Sequence, residues 1–530
     1  LNTAKHVLAI DLGTSGCKAA LVDLAGIVRA WEFRPVDTIL LPGGGAEQDP
    51  ADWWRAITEA CKAVLQKGLV PTESIIAVCA NTQGEGTLPV DEHGTPLCNA
   101  ILWMDTRGST HVKRQLGGAI NISGYRIDKV LQYLRLTGGA PSLTGKDAVG
   151  HMLYLKHERP EIYARTARFL NVIDYVNFRL SGRMIAPPDS ILTSWVTDNR
   201  VPGKTPLNQR LCDMIGIPIE RFPTPVPCTE VLGEIDAAFA ATVGLSAKTP
   251  VIAGSIDTTA AAIGAGTVRD NAVHLYLGTS SWLAAHVPKK KTDIFSAIAA
   301  VPCAVPKKYL MIALQATAGG NLNFFRDRIF YHDDALLNSP VPDDVIERLD
   351  RVAATSPPGA RGLMYTPWIY GERAPVEDHS IRAGLFNLSL EHSRPDVARA
   401  VLEGVAMNLR WLLEPVERFL GQPSGNIAAV GGGAVSPVWC QIHADILNRP
   451  ICQTENPIEA NVRGSAFIAG VALGEIAFDD VPGLVRIKQT FEPRPELREV
   501  YDLHFREFKN LYKALKGISK RLNRFHHGHE

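Results

Sequence analysis

The segment Asp11-Leu-Gly-Thr-Ser-Gly16 places a carboxylate at the end of an apolar run and follows it with small, hydroxylated turn residues. Gly13 lets backbone amides approach phosphate oxygens, Thr14 and Ser15 add hydroxyls, and Lys18 lies just beyond the turn. Asp11 could hold Mg²⁺ directly or through water, because that ion favours one or two carboxylates together with phosphate oxygens. One such turn by itself is an ordinary hairpin with a capping aspartate. The quartet recurs half a chain later as Leu277-Gly278-Thr279-Ser280, again after an apolar run and before another extended stretch. Two hairpins facing one cleft can grip the β- and γ-phosphates of a nucleotide from both sides.

Other residues supply the remaining chemistry. Asp257 follows an apolar strand and precedes an Ala-rich helical run. It reads as a helix cap and also as a base that takes the proton of a substrate hydroxyl attacking the γ-phosphate. Gly431-Gly432-Gly433, between a strand and a helix, lacks dinucleotide-fold spacing and reads as a flat surface for an adenosine. Ala318-Gly319-Gly320 is a weaker version of the same feature. Trp103, Asp105 and Arg107 alternate, so in an extended chain a ring, a carboxylate and a guanidinium would point one way, as carbohydrate recognition requires. Glu85 lies between Gly84 and Gly86, whose missing side chains leave room for a ligand beside its carboxylate.

These residues need strands that end together. The pattern predicts strands over 6–11, 17–23 and 27–34, then a helix capped by Asp49 and Pro50 that buries Trp53, Ile57, Cys61, Val64 and Leu65. A β-branched strand over 74–80 follows, and the loop at its carboxyl end, 81–86, is where open α/β sheets bind ligands. The second half repeats the grammar: a strand over 250–253, a loop over 254–257 and the Leu277 hairpin. A helix then runs from Ser393 to Pro415 with Val397, Val401, Val405, Leu409 and Leu412 on one face, and a strand over 427–430 enters the glycines. The expected domains are residues 1–250, mainly sugar-binding; 251–485, mainly nucleotide-binding; and a basic, amphipathic helical extension over 486–530.

Composition excludes several classes. The chain has 530 residues, 55 Lys+Arg against 55 Asp+Glu, and 46% hydrophobic residues, which fits a folded globular protein and not one built to bind nucleic acid. Asp257, His274 and Pro302 interrupt the longest apolar runs, so no membrane span is expected, and a cytoplasmic location is. Nine scattered cysteines form no C-x-x-C pair, which argues against a disulfide framework or structural zinc. The run His526, His527 and His529 is terminal and lacks ligands at fixed spacing.

Taken in order, the motifs resemble the FGGY family of carbohydrate kinases, in the actin/hexokinase/Hsp70 superfamily. The resemblance covers nearly the whole chain. It includes the turns at Asp11 and Gly278, Trp-x-Asp-x-Arg at Trp103, the Asp257 loop, Gly-Glu-Arg-Ala-Pro at 371–375, the helix from Arg394, and Val430 with its glycines. It implies an α/β fold of two actin-like (ribonuclease H-like) domains flanking a catalytic cleft. ATP and Mg²⁺ would be the cofactors, a sugar or polyol the substrate, with no nucleic-acid or membrane partner and a homodimer left open. By resemblance Asp257 would be the catalytic base and, with Asp11, a metal ligand. Gly13, Thr14, Ser15, Lys18, Gly278, Thr279, Ser280, Gly319, Asn323, Gly432 and Gly433 would bind ATP. Gln83, Gly84, Glu85, Trp103, Asp105, Arg107 and Asp257 would bind substrate.

Within the family the second half looks most like xylulokinases, which implies phosphorylation of a primary hydroxyl of a pentulose such as D-xylulose. The chain departs from them at Gln83-Gly84-Glu85-Gly86, where they usually carry Gln-Met-His-Gly, and at Asp257-Thr258, usually Asp-Asn. His151 and Tyr154 stand where Lys and Trp are usual, and 384–389 lacks an internal glycine. The Glu85 loop looks closer to glycerol- and erythritol-type polyol kinases, which are the alternative. An actin-like ATP-binding switch is the rival from another class, and a sugar pocket around Trp103, Asp105 and Arg107 argues against it.

Overall fold

A computed structural model describes residues 4–334 and 340–523; the histidines at 526, 527 and 529 lie outside them. The first sheet is built from β1 (His6–Gly13), β2 (Gly16–Asp23), β3 (Val28–Pro35), β4 (Ile75–Thr82), β5 (Val231–Glu234) and β6 (Pro250–Ile256). Its order is β5-β6-β4-β1-β2-β3, with β1 and β6 parallel to β4. The helix α1 (Pro50–Gln66) starts as its sequence demands, with the Asp49 side chain accepting from Ala51 N and Pro50 in the first turn. Trp53, Ile57, Cys61 and Val64 are buried against the outer face of the sheet, each contributing about 1.5–3 kcal/mol of apolar transfer. From β6 the chain passes directly into α2 (Asp257–Gly264).

The second half forms β7 (Val273–Leu277), β8 (Ser281–Val287), β9 (Thr292–Asp293), β10 (Ile298–Pro302) and β11 (Tyr309–Gln315), then α3 (Gly319–Phe325) and α4 (Arg394–Leu420). It ends with β12 (Ile427–Val430), α5 (Pro437–Leu447), β13 (Ile451–Thr454), α6 (Ala460–Ala472), β14 (Ile487–Phe491) and α7 (Arg498–Leu522). The second sheet has the order β9-β10-β11-β8-β7-β12-β13-β14. The core run β3-β2-β1-β4-β6 of the first sheet therefore reappears as β11-β8-β7-β12-β13, the duplication announced by the repeated Leu-Gly-Thr-Ser.

The helices α2 and α6 lie between the inner faces of the two sheets. One apolar cluster joins Val7, Ala9 and Val22 of the first sheet to Ile263 and Phe467 of the helices and Trp282 and Leu310 of the second. The two helices cross so closely that a Cβ on Gly464 would stand 2.0 Å from the Ala260 carbonyl oxygen. Between β4 and β5 the chain also builds a helical lobe around Val112, Val149, Met152 and Leu211.

Four expectations are corrected. The strand placed over 250–253 runs on to Ile256, so 254–257 is not a loop and Asp257 is the first residue of a helix. Because β6 pairs with β4, the division expected near Pro250 moves beyond α2. Residues 487–491 are not part of a separate helical extension: β14 pairs antiparallel with β13 and covers the edge of the second sheet. The helix expected to stop at Pro415 continues to Leu420 and ends at Gly421 (φ 77°). A proline inside a helix costs about 3 kcal/mol, and burial of Leu412, Leu413, Val416 and Phe419 offsets it.

Candidate active site

The carboxyl ends of β1, β4 and β6 set the chemistry. In register, Asp11 lies opposite Lys18 on β2 and Asn81 on β4, and Ser255 on β6 is opposite Asn81. Asp257 heads α2 one step further, and its Oδ1 accepts from its neighbour Thr258 N at 2.7 Å. It does not cap the helix from outside, since Ile256 holds that position. Asp11 and Asp257 are both half-buried. Burial pushes the Asp257 carboxyl up to about 7, the charge of Asp11 adds to this, and the Thr258 N–H opposes it. Burial also raises Asp11, against Lys18 and a hydrogen bond from Asn461.

Two desolvated carboxylates that resist joint ionisation are a fitting seat for a divalent cation brought by phosphates. Among the described residues no group of three or more His, Cys, Asp or Glu forms a ready-made metal cage. That donor set fits Mg²⁺, which keeps most of its shell for water and phosphate oxygens.

The first hairpin turns through Thr14 and Ser15, with Gly13 opposite Gly16. Ser15 is exposed, whereas Thr14 is locked: its hydroxyl donates to Gln83 Oε1 at 2.8 Å and accepts from Trp103 Nε1 at 3.2 Å. Gln48 Nε2 donates to the Thr14 carbonyl at 2.7 Å, and Gln48 Oε1 accepts from both Gln83 and Trp53. Lys18 Nζ crosses to the second half and donates to the Ile458 carbonyl at 2.9 Å.

The second hairpin is one residue longer, because Leu277 pairs with Ser281 around Gly278, Thr279 and Ser280. The N–H of Gly319 donates to Gly278 O at 2.9 Å, and those of Ala318 and Gly320 donate to Thr279 O. The first amides of α3 are therefore spent on fixing this turn. Asn323 stands further along the same helix, half-buried. Gly431 follows β12 with φ +92°, and a Cβ there would come within 2.6 Å of Leu277 O, so the strand end and the hairpin touch through a glycine. Gly432 faces open space, whereas Gly433 packs on Trp439. Asp11, Lys18, Tyr276, Gly431, Gly432, Ile458 and Asn461 line a cleft of about 220 Å³.

Glu85, in the loop after β4, adopts φ +58° and is half-buried. Burial raises its carboxyl, while Arg373 and Lys146 oppose the shift, and its charge in turn raises Asp257. Gly84 packs on Ile256, and Gln83 is buried in the Thr14 network.

The segment 103–107 is a turn, so its side chains do not share a face. Trp103 points to Thr14. Asp105 accepts from Ala46 N, Arg107 N and Arg107 Nε, each at 2.9 Å, and Arg107 also pairs with Glu47 at 2.6 Å. Tyr154 lies under that guanidinium at 4.5 Å, and His151, pushed down to about 4 by burial, bonds Thr87. Asp105 and Arg107 thus brace the wall of the site with most of their bonding capacity engaged. Sequence reasoning missed Gln48, Lys146, Asp189, Tyr276 and Asn461. Of these only Asp189 carries a charge on a strongly buried side chain, where its Oδ2 accepts Ile256 N at 3.0 Å.

Comparison with known proteins completes the picture. The N-terminal domain of the FGGY family of carbohydrate kinases matches residues 6–264 and its C-terminal domain matches residues 273–473, dividing the chain where the sheets divide. The chain is 28% identical to the xylulose kinase of Bacillus subtilis (strain 168), over 98% of this chain and 99% of that one. It is 24% identical to the gluconokinase of Bacillus licheniformis, over 96% of each. The crystal structure of xylulose kinase from Rhodospirillum rubrum superposes with a TM-score of 0.80 at 26% identity, covering 97% of this chain and 100% of that one. The fold of two actin-like α/β domains is the one the resemblance implied, and the chain belongs to the FGGY family of carbohydrate kinases.

Proposed function

We propose that this carbohydrate kinase transfers the γ-phosphoryl group of ATP to a primary hydroxyl of a pentulose such as D-xylulose, with Asp257 as general base. One observation carries the reading: burial, together with the charges of Asp11, Asp189 and Glu85, raises the proton affinity of the Asp257 carboxyl to about 7. A base poised near the working pH accepts the hydroxyl proton as the oxygen attacks phosphorus. The new O–P bond forms as the bond to ADP breaks, and the proton stays on Asp257. Mg²⁺, held by Asp11 with Asp257 nearby, would neutralise charge on the phosphates. The cleft lined by Lys18, Gly431 and Gly432 suits the phosphate chain, and Glu85 can accept hydrogen bonds from substrate hydroxyls. Dependence on ATP supports a cytoplasmic location.

The Bacillus subtilis relative supports D-xylulose. A second reading, an acid sugar, is favoured by Lys146 and Arg373. Both act on the Glu85 charge, and among the described residues neither side chain makes a hydrogen bond or ion pair. The exposed Glu377 at the rim offsets part of their charge. Coupled ADP release across D-xylulose, D-gluconate, erythritol and glycerol separates the readings. The pentulose reading expects the highest kcat/KM for D-xylulose, and a clear preference for gluconate or a polyol overturns it.

A further inference from the structure

Tyr276, two residues before the second hairpin, is not part of any motif noted in the sequence. Its ring is stacked face to face on Trp282, with centroids 3.8 Å apart and planes 2° from parallel. Trp282 is held in turn: its indole N–H donates to His274 Nε2 at 3.3 Å, and His274 Nδ1 bonds the Thr267 hydroxyl. Gly278 leaves the space the ring needs, since a Cβ there would lie 2.5 Å from the Tyr276 ring. The ring is therefore fixed in place from behind. Tyr276 lines the cleft with Asp11, Lys18, Gly432 and Asn461, and among the described residues its hydroxyl has no hydrogen-bond partner.

A phenol so placed has its hydroxyl proton free to donate. The groups around it are two anions and one ammonium already bonded to the Ile458 carbonyl. An unused donor on a rigid ring, in the cleft that Asp11 and Lys18 also line, suits an acceptor that enters with the nucleotide.

We propose that Tyr276 is a catalytic residue that donates a hydrogen bond to an oxygen of the phosphoryl group in flight, more strongly in the transition state than to bound ATP. The proposal rests on the reading that Asp11 and Asp257 flank that group. Preorganised donors of this kind act where charge develops, and they need no reorganisation during transfer.

Tyr276→Phe keeps the ring and its stack on Trp282 and removes only the hydroxyl. The rate of transfer is measured with the best sugar acceptor and, independently of sugar identity, with water as acceptor. The expected result is a kcat lower by roughly 10²–10³-fold, with KM for ATP within about threefold and unchanged thermal unfolding. Affinity for ADP with aluminium fluoride, a mimic of the group in flight, should fall by a similar factor, whereas affinity for a non-hydrolysable ATP analogue should not. Equal losses for both ligands would mean a ground-state contact and overturn the proposal. If Tyr276→Phe keeps its rate while Asp257→Asn is slow, this inference fails and the reading of the cleft stands. If both variants keep their rates, the reading of the cleft fails with it.

Discussion

Asp11 strengthens the hold of Asp257 on its proton: the charge of Asp11 is the second cause, after burial, of the Asp257 carboxyl titrating at about 7. A base must be ionised to act. The parent enzyme should lose kcat/KM as pH falls through about 7, where Asp257 takes up its proton. Asp11→Asn removes the like charge and should move that limb to lower pH, even if the remaining rate is small. A pH profile of both proteins checks it; a limb that stays in place would assign the titration to another group.

The same coupling has a stability consequence. The folded-state pKa of Asp257 is above its unfolded value of 3.8, so its contribution is fully present below pH 3.8 and is lost as pH rises towards about 7. At pH 8 Asp257→Asn should therefore unfold at a higher temperature than the parent, and the difference should shrink at pH 5. Calorimetric melts at the two pH values measure this.

Asp105 and Arg107 show what the sequence made legible and what it could not. Their chemical types pointed to the site, but alternation assumed an extended chain, and the turn at 103–107 gives each residue its own direction. The repeated Leu-Gly-Thr-Ser revealed the duplicated fold because each copy is a local hairpin whose shape its own residues dictate. By contrast, Gln48 bonds Thr14 and Gln83 across 34 and 35 residues, and Asn461 meets Asp11 from the other half of the chain. No local pattern encodes such partners. Residues 487–491 escaped for the same reason, since only the edge of β13 makes them a strand.

Asp105→Ala should act mainly on stability. It leaves the Ala46 amide and one side of a guanidinium unpaired at a position where Asp105 is 1% exposed. Breaking a buried pair of this kind costs about 3 kcal/mol. Denaturant melts should show the loss, and it should exceed that of Glu47→Ala, whose less buried carboxylate bonds the same guanidinium and the Asn99 amide.

Glu85→Ala should lower kcat/KM for the preferred sugar and leave affinity for ATP unchanged, because the phosphate cleft is lined by Asp11, Lys18, Tyr276, Gly432 and Asn461 and not by Glu85. Glu85→His should shift the ranking of acceptors towards D-xylulose. Sites that hydrogen-bond a substrate hydroxyl discriminate by up to about 10⁴-fold. Retention of the parent's ranking by both variants would put Glu85 outside the pocket.

The most direct test is the turnover of Asp257→Asn with ATP and the best acceptor, measured beside the affinity for each ligand. The amide keeps the shape and cannot accept the proton. The account predicts kcat lower by roughly 10²–10⁴-fold, with both affinities within about threefold. A kcat within threefold of the parent's would contradict it and leave Asp257 as no more than the first residue of its helix.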